Sequence, residues 1–325
     1  MNVEQKNDKN NQNNQNAEPN MWSDVIDDMN DDNHSANLQE IDRSTKVGWL
    51  VGATLDTYDA VAKVAAENGL SKPVILGSGA MYIHAINSGN YPMSELNRSY
   101  DERRNFATTS HGVDIDFGFD SEADADRLVA IAGNGSRQIR VETSDGRAGV
   151  ADIMSRPPRA GFEPVSVKVG EKEVMLRNPE AMMFGKIDLL NELPVEQIKQ
   201  KWGYDVPMFM SVVESYHNDD ESIDAYLSRR YLEYQKAGIK SKLQQLPGDT
   251  RLGDVISTQD VQRILPGADD VFAHQLLDYR VSDVDVDSLP ADCFAEWGVA
   301  YDRAMDKYRQ ANILVAQQAV DNIVG

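Results

Sequence analysis

A change of pattern at Gly77 constrains this chain most. Pro73-Val74-Ile75-Leu76 is a short apolar run that fits a buried strand, and it stops at Gly77-Ser78-Gly79. A helix-like Ala80-Met81-Tyr82-Ile83-His84-Ala85-Ile86 follows. A strand that enters a helix through a glycine-serine turn presents backbone N–H groups and the positive end of the helix dipole, which suits phosphate. Further on, Gly112 to Phe119 alternates as a second strand and carries Asp114 and Asp116. Side chains at i and i+2 on a strand share a face, so these two carboxylates stand together. They repel unless a cation sits between them, and a hard divalent ion such as Mg²⁺ is the usual solution.

The remaining pattern places these strands in an α+β arrangement. Residues 44–69 read as an amphipathic helix, capped by Ser44 or Thr45 and ended by Asn68-Gly69. Residues 88–111 read as a polar, loop-like insert containing Arg98, Arg103, Arg104 and His111. A helix over 121–132 ends at Gly133-Asn134-Gly135. Gln138–Glu142 and Ala148–Met154 form a hairpin about Asp145-Gly146, and the second strand carries Asp152. Val165–Val169 and Glu173–Leu176 form another, turning at Gly170-Glu171. Asn178 caps a helix that has Pro179 at its first position, carries Lys186 and runs to about Asn191. From 194 onward the pattern is helical, with segments expected at 194–201, 205–217, 220–238, 258–264, 268–279 and 290–323.

These readings predict a mixed-sheet domain over 44–193 and an all-helical domain over 194–325, preceded by an Asn/Gln-rich acidic tail over 1–43. The tail holds ten acidic residues against three basic ones, too polar to offset the entropy of ordering it. Its apolar residues, Met21-Trp22 and Val25-Ile26, are a candidate docking segment. The whole chain has a net charge of −21, which argues against an extensive nucleic-acid surface. The single cysteine, Cys293, excludes an intrachain disulfide, and no apolar run is long enough to span a membrane. A soluble cytoplasmic protein is expected.

Gly77-Ser78, Asp114-x-Asp116 and the later strand carboxylate Asp152, in that order, resemble the motifs of the DNA polymerase beta-like nucleotidyltransferase superfamily. Within it the chain most resembles the AbiEii/AbiGii toxin-type nucleotidyltransferases, which also place a lysine-bearing helix after the sheet, as Lys186 is placed here. The resemblance covers roughly residues 70–190. It implies that Asp114 and Asp116 hold two Mg²⁺ ions, with Asp152 completing one metal site and helping to deprotonate an acceptor hydroxyl. Gly77 and Ser78 would cradle the triphosphate of an NTP, with Lys186, or more weakly Arg177, as its counter-charge. The acceptor would be a tRNA end, a protein or a small molecule. Ser78 and Asp114 are 36 residues apart, a longer gap than the superfamily usually has, and the 88–111 insert accounts for it.

Other readings compete. A non-catalytic interaction protein on the same fold would bind partners through 194–325, first through the 220–238 helix with Arg229-Arg230 and Tyr226, Tyr231 and Tyr234; the alternative for those tyrosines is a core-facing stripe. An antibiotic-modifying nucleotidyltransferase would share the site. A haloacid-dehalogenase-type phosphatase fits less well, because Gly118 stands where that resemblance wants Thr or Val. Asp152 could be held by Arg140 or Arg147, and Lys186 could be a solvated surface charge. Asp124-x-Asp126 reads as a solvated helix face. Asp283-x-Asp285-x-Asp287 lacks the glycine and glutamate of an EF-hand and reads as an acidic turn. No His/Cys cluster suggests zinc; His84 and Cys293 read as packed residues.

Overall fold

A computed structural model describes residues 42–104, 113–133, 135–144, 146, 148–195, 202–217 and 221–324. The tail reading for 1–43 therefore lies outside the described residues except at Asp42 and Arg43, and most of the expected 194–201 helix, His111, Asp145 and Arg147 lie outside them too. Helix α1 (Lys46–Glu67) starts at Thr45, whose hydroxyl accepts from the Gly48 N–H, and ends at Asn68. Strand β1 (Val74–Ile75) leads into α2 (Gly77–Asn87), and α3 (Met93–Arg104) follows. Next come β2 (Val113–Phe119), α4 (Glu122–Ala132), β3 (Gln138–Glu142), β4 (Ala148–Ser155), β5 (Val165–Val169) and β6 (Lys172–Leu176). Helices α5 (Pro179–Glu192), α6 (Trp202–Tyr216), α7 (Ile223–Gln244), α8 (Thr258–Ile264), α9 (Asp270–Leu277) and α10 (Ala295–Val324) complete the chain, with short 3₁₀ turns between α7 and α10. The α+β class, with a mixed sheet and a helical C-terminal region, is as the sequence predicts.

The six strands lie in the order β3-β4-β2-β1-β6-β5. The two expected hairpins, β3–β4 and β5–β6, form its antiparallel flanks. Parallel β2–β4 and β1–β6 ladders attach them to a central antiparallel β1–β2 pair. The strands at the centre are apolar where they must be: Ile75, Ile115, Phe117, Phe119, Ala151 and Ile153 are fully buried or nearly so. Their apolar cluster continues without a break into α5, α6, α7 and the middle of α10. A second, smaller cluster lies within Ile239–Phe294.

One expectation is corrected. The 88–111 insert is not a loop over its middle: Met93–Arg104 is helical. Its mean polarity hides a spacing of Met93, Leu96 and Tyr100, at i, i+3 and i+7, which is one helical stripe. Leu96 is buried, Tyr100 stacks on Tyr82 with centroids 6.2 Å apart, and Asn97 Oδ1 accepts from the Val47 N–H at 2.9 Å. Helix α3 is thus docked on α1 and α2.

The tyrosines of α7 are settled as core. Tyr226, Tyr231 and Tyr234 are all buried, and Phe184 packs against Tyr231 and Tyr234 at 5.5 and 5.4 Å. They offer no free surface to a partner. Arg230, beside them, reaches Glu180 at the start of α5, with Nη2 donating to Oε2 at 2.7 Å, while the Tyr226 hydroxyl donates to Oε1 at 2.6 Å. Asp283, Asp285 and Asp287 lie in short turns, where Asp287 pairs with Lys240 and Asp285 accepts from the Ser288 hydroxyl. Asp126 pairs with Arg137; the Asp124 carboxylate accepts from the Ser71 N–H, and its backbone N–H donates to the Ser121 hydroxyl. Cys293 is buried. No helix among the described residues is long and apolar enough to cross a membrane.

His84 joins α2 to the end of β6. It is buried, and its Nε2–H donates to the Arg177 carbonyl at 2.9 Å, since a carbonyl can only accept. Nδ1 has no hydrogen-bond partner. Burial holds the imidazole pKa down at about 4, against 6.5 for an exposed ring, the Arg177 bond opposing only in part. As pH falls below 6.5 the unfolded chain takes up a proton that the folded chain refuses until about 4, so stability falls across that window. The loss from this one group approaches about 3 kcal/mol. Urea unfolding at about pH 7 and about pH 4.5 should show a smaller drop in His84→Met than in the wild type; equal drops would show that His84 does not carry the dependence.

Candidate active site

Register explains how three separated acids meet. On β2, Asp114 and Asp116 share a face, as alternation requires. On the parallel neighbour β4, Asp152 stands directly opposite Asp116. One ligand oxygen from each of Asp114, Asp116 and Asp152 lies within 4.8 Å of the other two; Asp114 is exposed, and Asp116 and Asp152 are half-buried. Arg140 sits across the ladder from Val150, not Asp152, and no ion pair between Asp152 and Arg140 is present.

The other edge of β2 brings in the glycine turn. The Leu76 N–H donates to the Asp116 carbonyl at 2.9 Å, so the last residue of the β1 run is tied to the acid-bearing strand. Gly77 follows in the left-handed region, with φ +59°. A Cβ there would lie 2.3 Å from Asp116 Oδ2. Only glycine both adopts this conformation cheaply and lets the α2 N-terminus approach the carboxylate. Ser78 follows Gly77 in the first turn of α2 and is half-buried.

Lys186 arrives from the other side. Asn178 caps α5 by accepting from the Ala181 N–H at 3.1 Å, and Pro179 starts the helix. Two turns on, Lys186 Nζ lies 3.4 Å from Asp205 Oδ2 on α6. Asp205 is buried, so Lys186 is not a solvated surface charge. Lys186 is also close enough to Asp116 to favour its charged form, as is Arg156. Arg177 contributes its backbone: its N–H donates to Ile75 and its carbonyl accepts from His84, which locks the β6–α5 corner against β1 and α2.

The electrostatics are those of a site short of positive charge. Burial pushes the Asp116 carboxyl up, and Asp114 and Asp152 push it further, against Lys186 and Arg156. Asp114 is pushed up by burial and then by Asp152. Hard oxygen ligands in a repelling cluster suit a small divalent cation, so the residues present fit Mg²⁺. Residues that the sequence reading passed over are Asp205 and Arg156. Arg156 had a visible signal, its place four residues after Asp152 at the end of the same alternating run. Asp205 had none, because its pairing depends on how α6 packs on α5.

No family model and no curated protein matches the chain. Among solved structures, it is similar to the solution structure of the antibiotic-resistance factor ANT(2″)-Ia, at 15% identity and a TM-score of 0.32, over 60% of this chain and 100% of that one.

Proposed function

We propose that this protein is a metal-dependent nucleotidyltransferase that moves an NMP from an NTP to an acceptor hydroxyl. The observation that carries the reading is the set of three carboxylates within 4.8 Å on adjacent parallel strands, with the Gly77 turn built against one of them. Asp114, Asp116 and Asp152 would hold Mg²⁺, which when bound supplies charge neutralisation and polarisation of the phosphoryl oxygens. The N–H groups at the start of α2 and the Ser78 side chain grip the triphosphate. Lys186, steadied by Asp205, faces the same anion. Asp152 takes the proton of the acceptor hydroxyl, whose oxygen bonds to the α-phosphorus as the bond to pyrophosphate breaks. We place the protein with the toxin or abortive-infection type and in the cytoplasm. The excess of negative charge favours a protein or small-molecule acceptor over a tRNA end.

Calorimetry with each of the four NTPs tests the reading. Binding should need both Mg²⁺ and Asp114 and be lost in Asp114→Asn. Equal binding in that variant, or none in either protein, would overturn it.

A further inference from the structure

The Ile239–Phe294 cluster encloses a cavity of about 160 Å³ between the end of α7 and helices α8 and α9. Leu243 of α7, Leu246 just beyond its end, Val261 and Ile264 of α8 and Leu276 of α9 are among its walls, as is Val284. The lining is aliphatic except for one charged residue, Lys242. Close-packed interiors keep few voids of this size, and an apolar cavity of similar volume stays dry and takes up benzene.

Charge gives the second, independent observation. Residues 239–294 contain ten aspartates and five Lys or Arg. Four of those cations have an aspartate partner: Lys240 with Asp287, Arg251 with Asp278, Arg263 with Asp260 and Arg280 with Asp249. The fifth, Lys242, has no ion-pair partner among the described residues, although acids outnumber bases around it. It is exposed, so its methylene stem lines the wall while its ammonium stays hydrated at the surface.

We propose that this cavity is a binding site for a small monoanionic amphiphile, an alkyl or aryl carboxylate of about six carbons, with Lys242 as its counter-charge. The apolar body fills the cavity and the carboxylate pairs with the ammonium. The site is separate from the carboxylate cluster and holds whether or not that cluster transfers nucleotides.

The test uses the full chain and the straight-chain carboxylates from acetate to octanoate, with hexanol as the neutral comparator, by calorimetry and methyl NMR. Affinity should rise about fourfold per added methylene until the cavity is full, with shifts at the Leu243, Val261 and Leu276 methyls. Lys242→Met should weaken hexanoate about fivefold and leave hexanol unchanged. Val284→Phe, which enlarges a wall residue to fill the cavity, should abolish both. Unchanged hexanoate affinity in Lys242→Met, or no methyl shift with either hexanoate or hexanol, would overturn the proposal. Lys242 is exposed, so that comparison decides the matter even if Val284→Phe does not fold.

Discussion

Asp116→Asn should abolish NTP-dependent label transfer while making the metal-free protein more stable. Asp116 lies opposite Asp152, next to Asp114 on its own strand, and against the Gly77 turn. Losing its charge would remove one of the three carboxylates proposed to hold the metal. A bound metal supplies several kcal/mol of charge stabilisation in the transition state, so transfer should fall by roughly 10³-fold or more. The stability effect has the opposite sign. Burial and the charges of Asp114 and Asp152 disfavour the ionised Asp116 in the folded state. The folded chain therefore holds its proton to higher pH than the unfolded chain, and stability is lost as pH rises through that window. A neutral amide removes the penalty at neutral pH. Thermal melts without metal and label-transfer assays with it, on the same two proteins, check both signs. Undiminished transfer in the variant would sink the mechanism; a destabilised apo variant would show that the three acids do not repel one another as the geometry implies.

The largest effect on folding is expected at Arg230. Glu180 is fully buried, and Arg230 is its cationic partner, with Nε 3.2 Å from both carboxylate oxygens and Nη2 2.7 Å from one. Arg230→Met would leave the carboxylate uncompensated at the α5–α7 contact. Breaking a buried pair from one side costs about 3–5 kcal/mol, roughly 10 °C in melting temperature for a chain of this size. Pairing it with Glu180→Gln should recover much of that, because the charge left behind is what costs. A loss below about 1 kcal/mol in the single variant would mean that the pair behaves like an exposed one.

Local chemistry made much of this fold legible. The caps at Thr45, Ser121 and Asn178 are where short polar side chains precede apolar periodic runs, and both hairpins follow their turn residues. The α3 helix was hidden because three apolar residues in twelve leave a polar average, and only their spacing reveals the buried face. The α7 tyrosines could be core or surface by sequence, since an aromatic stripe has the same period in either setting; burial against Phe184 decides it.

What the chain determines by itself is local: the strand–turn–helix at Gly77, the shared face of Asp114 and Asp116, and the capped helix that carries Lys186. These follow from backbone geometry over a few residues. What only the tertiary structure decides is non-local. Asp152 joins the other acids because β4 pairs in parallel with β2 in the one register that sets it beside Asp116; a slip of one residue would send it to the opposite face. Lys186 is held near them because α6 buries Asp205 against it. Both depend on which apolar faces pack together across the core, and that is settled by the whole set of contacts, not by any spacing along the chain.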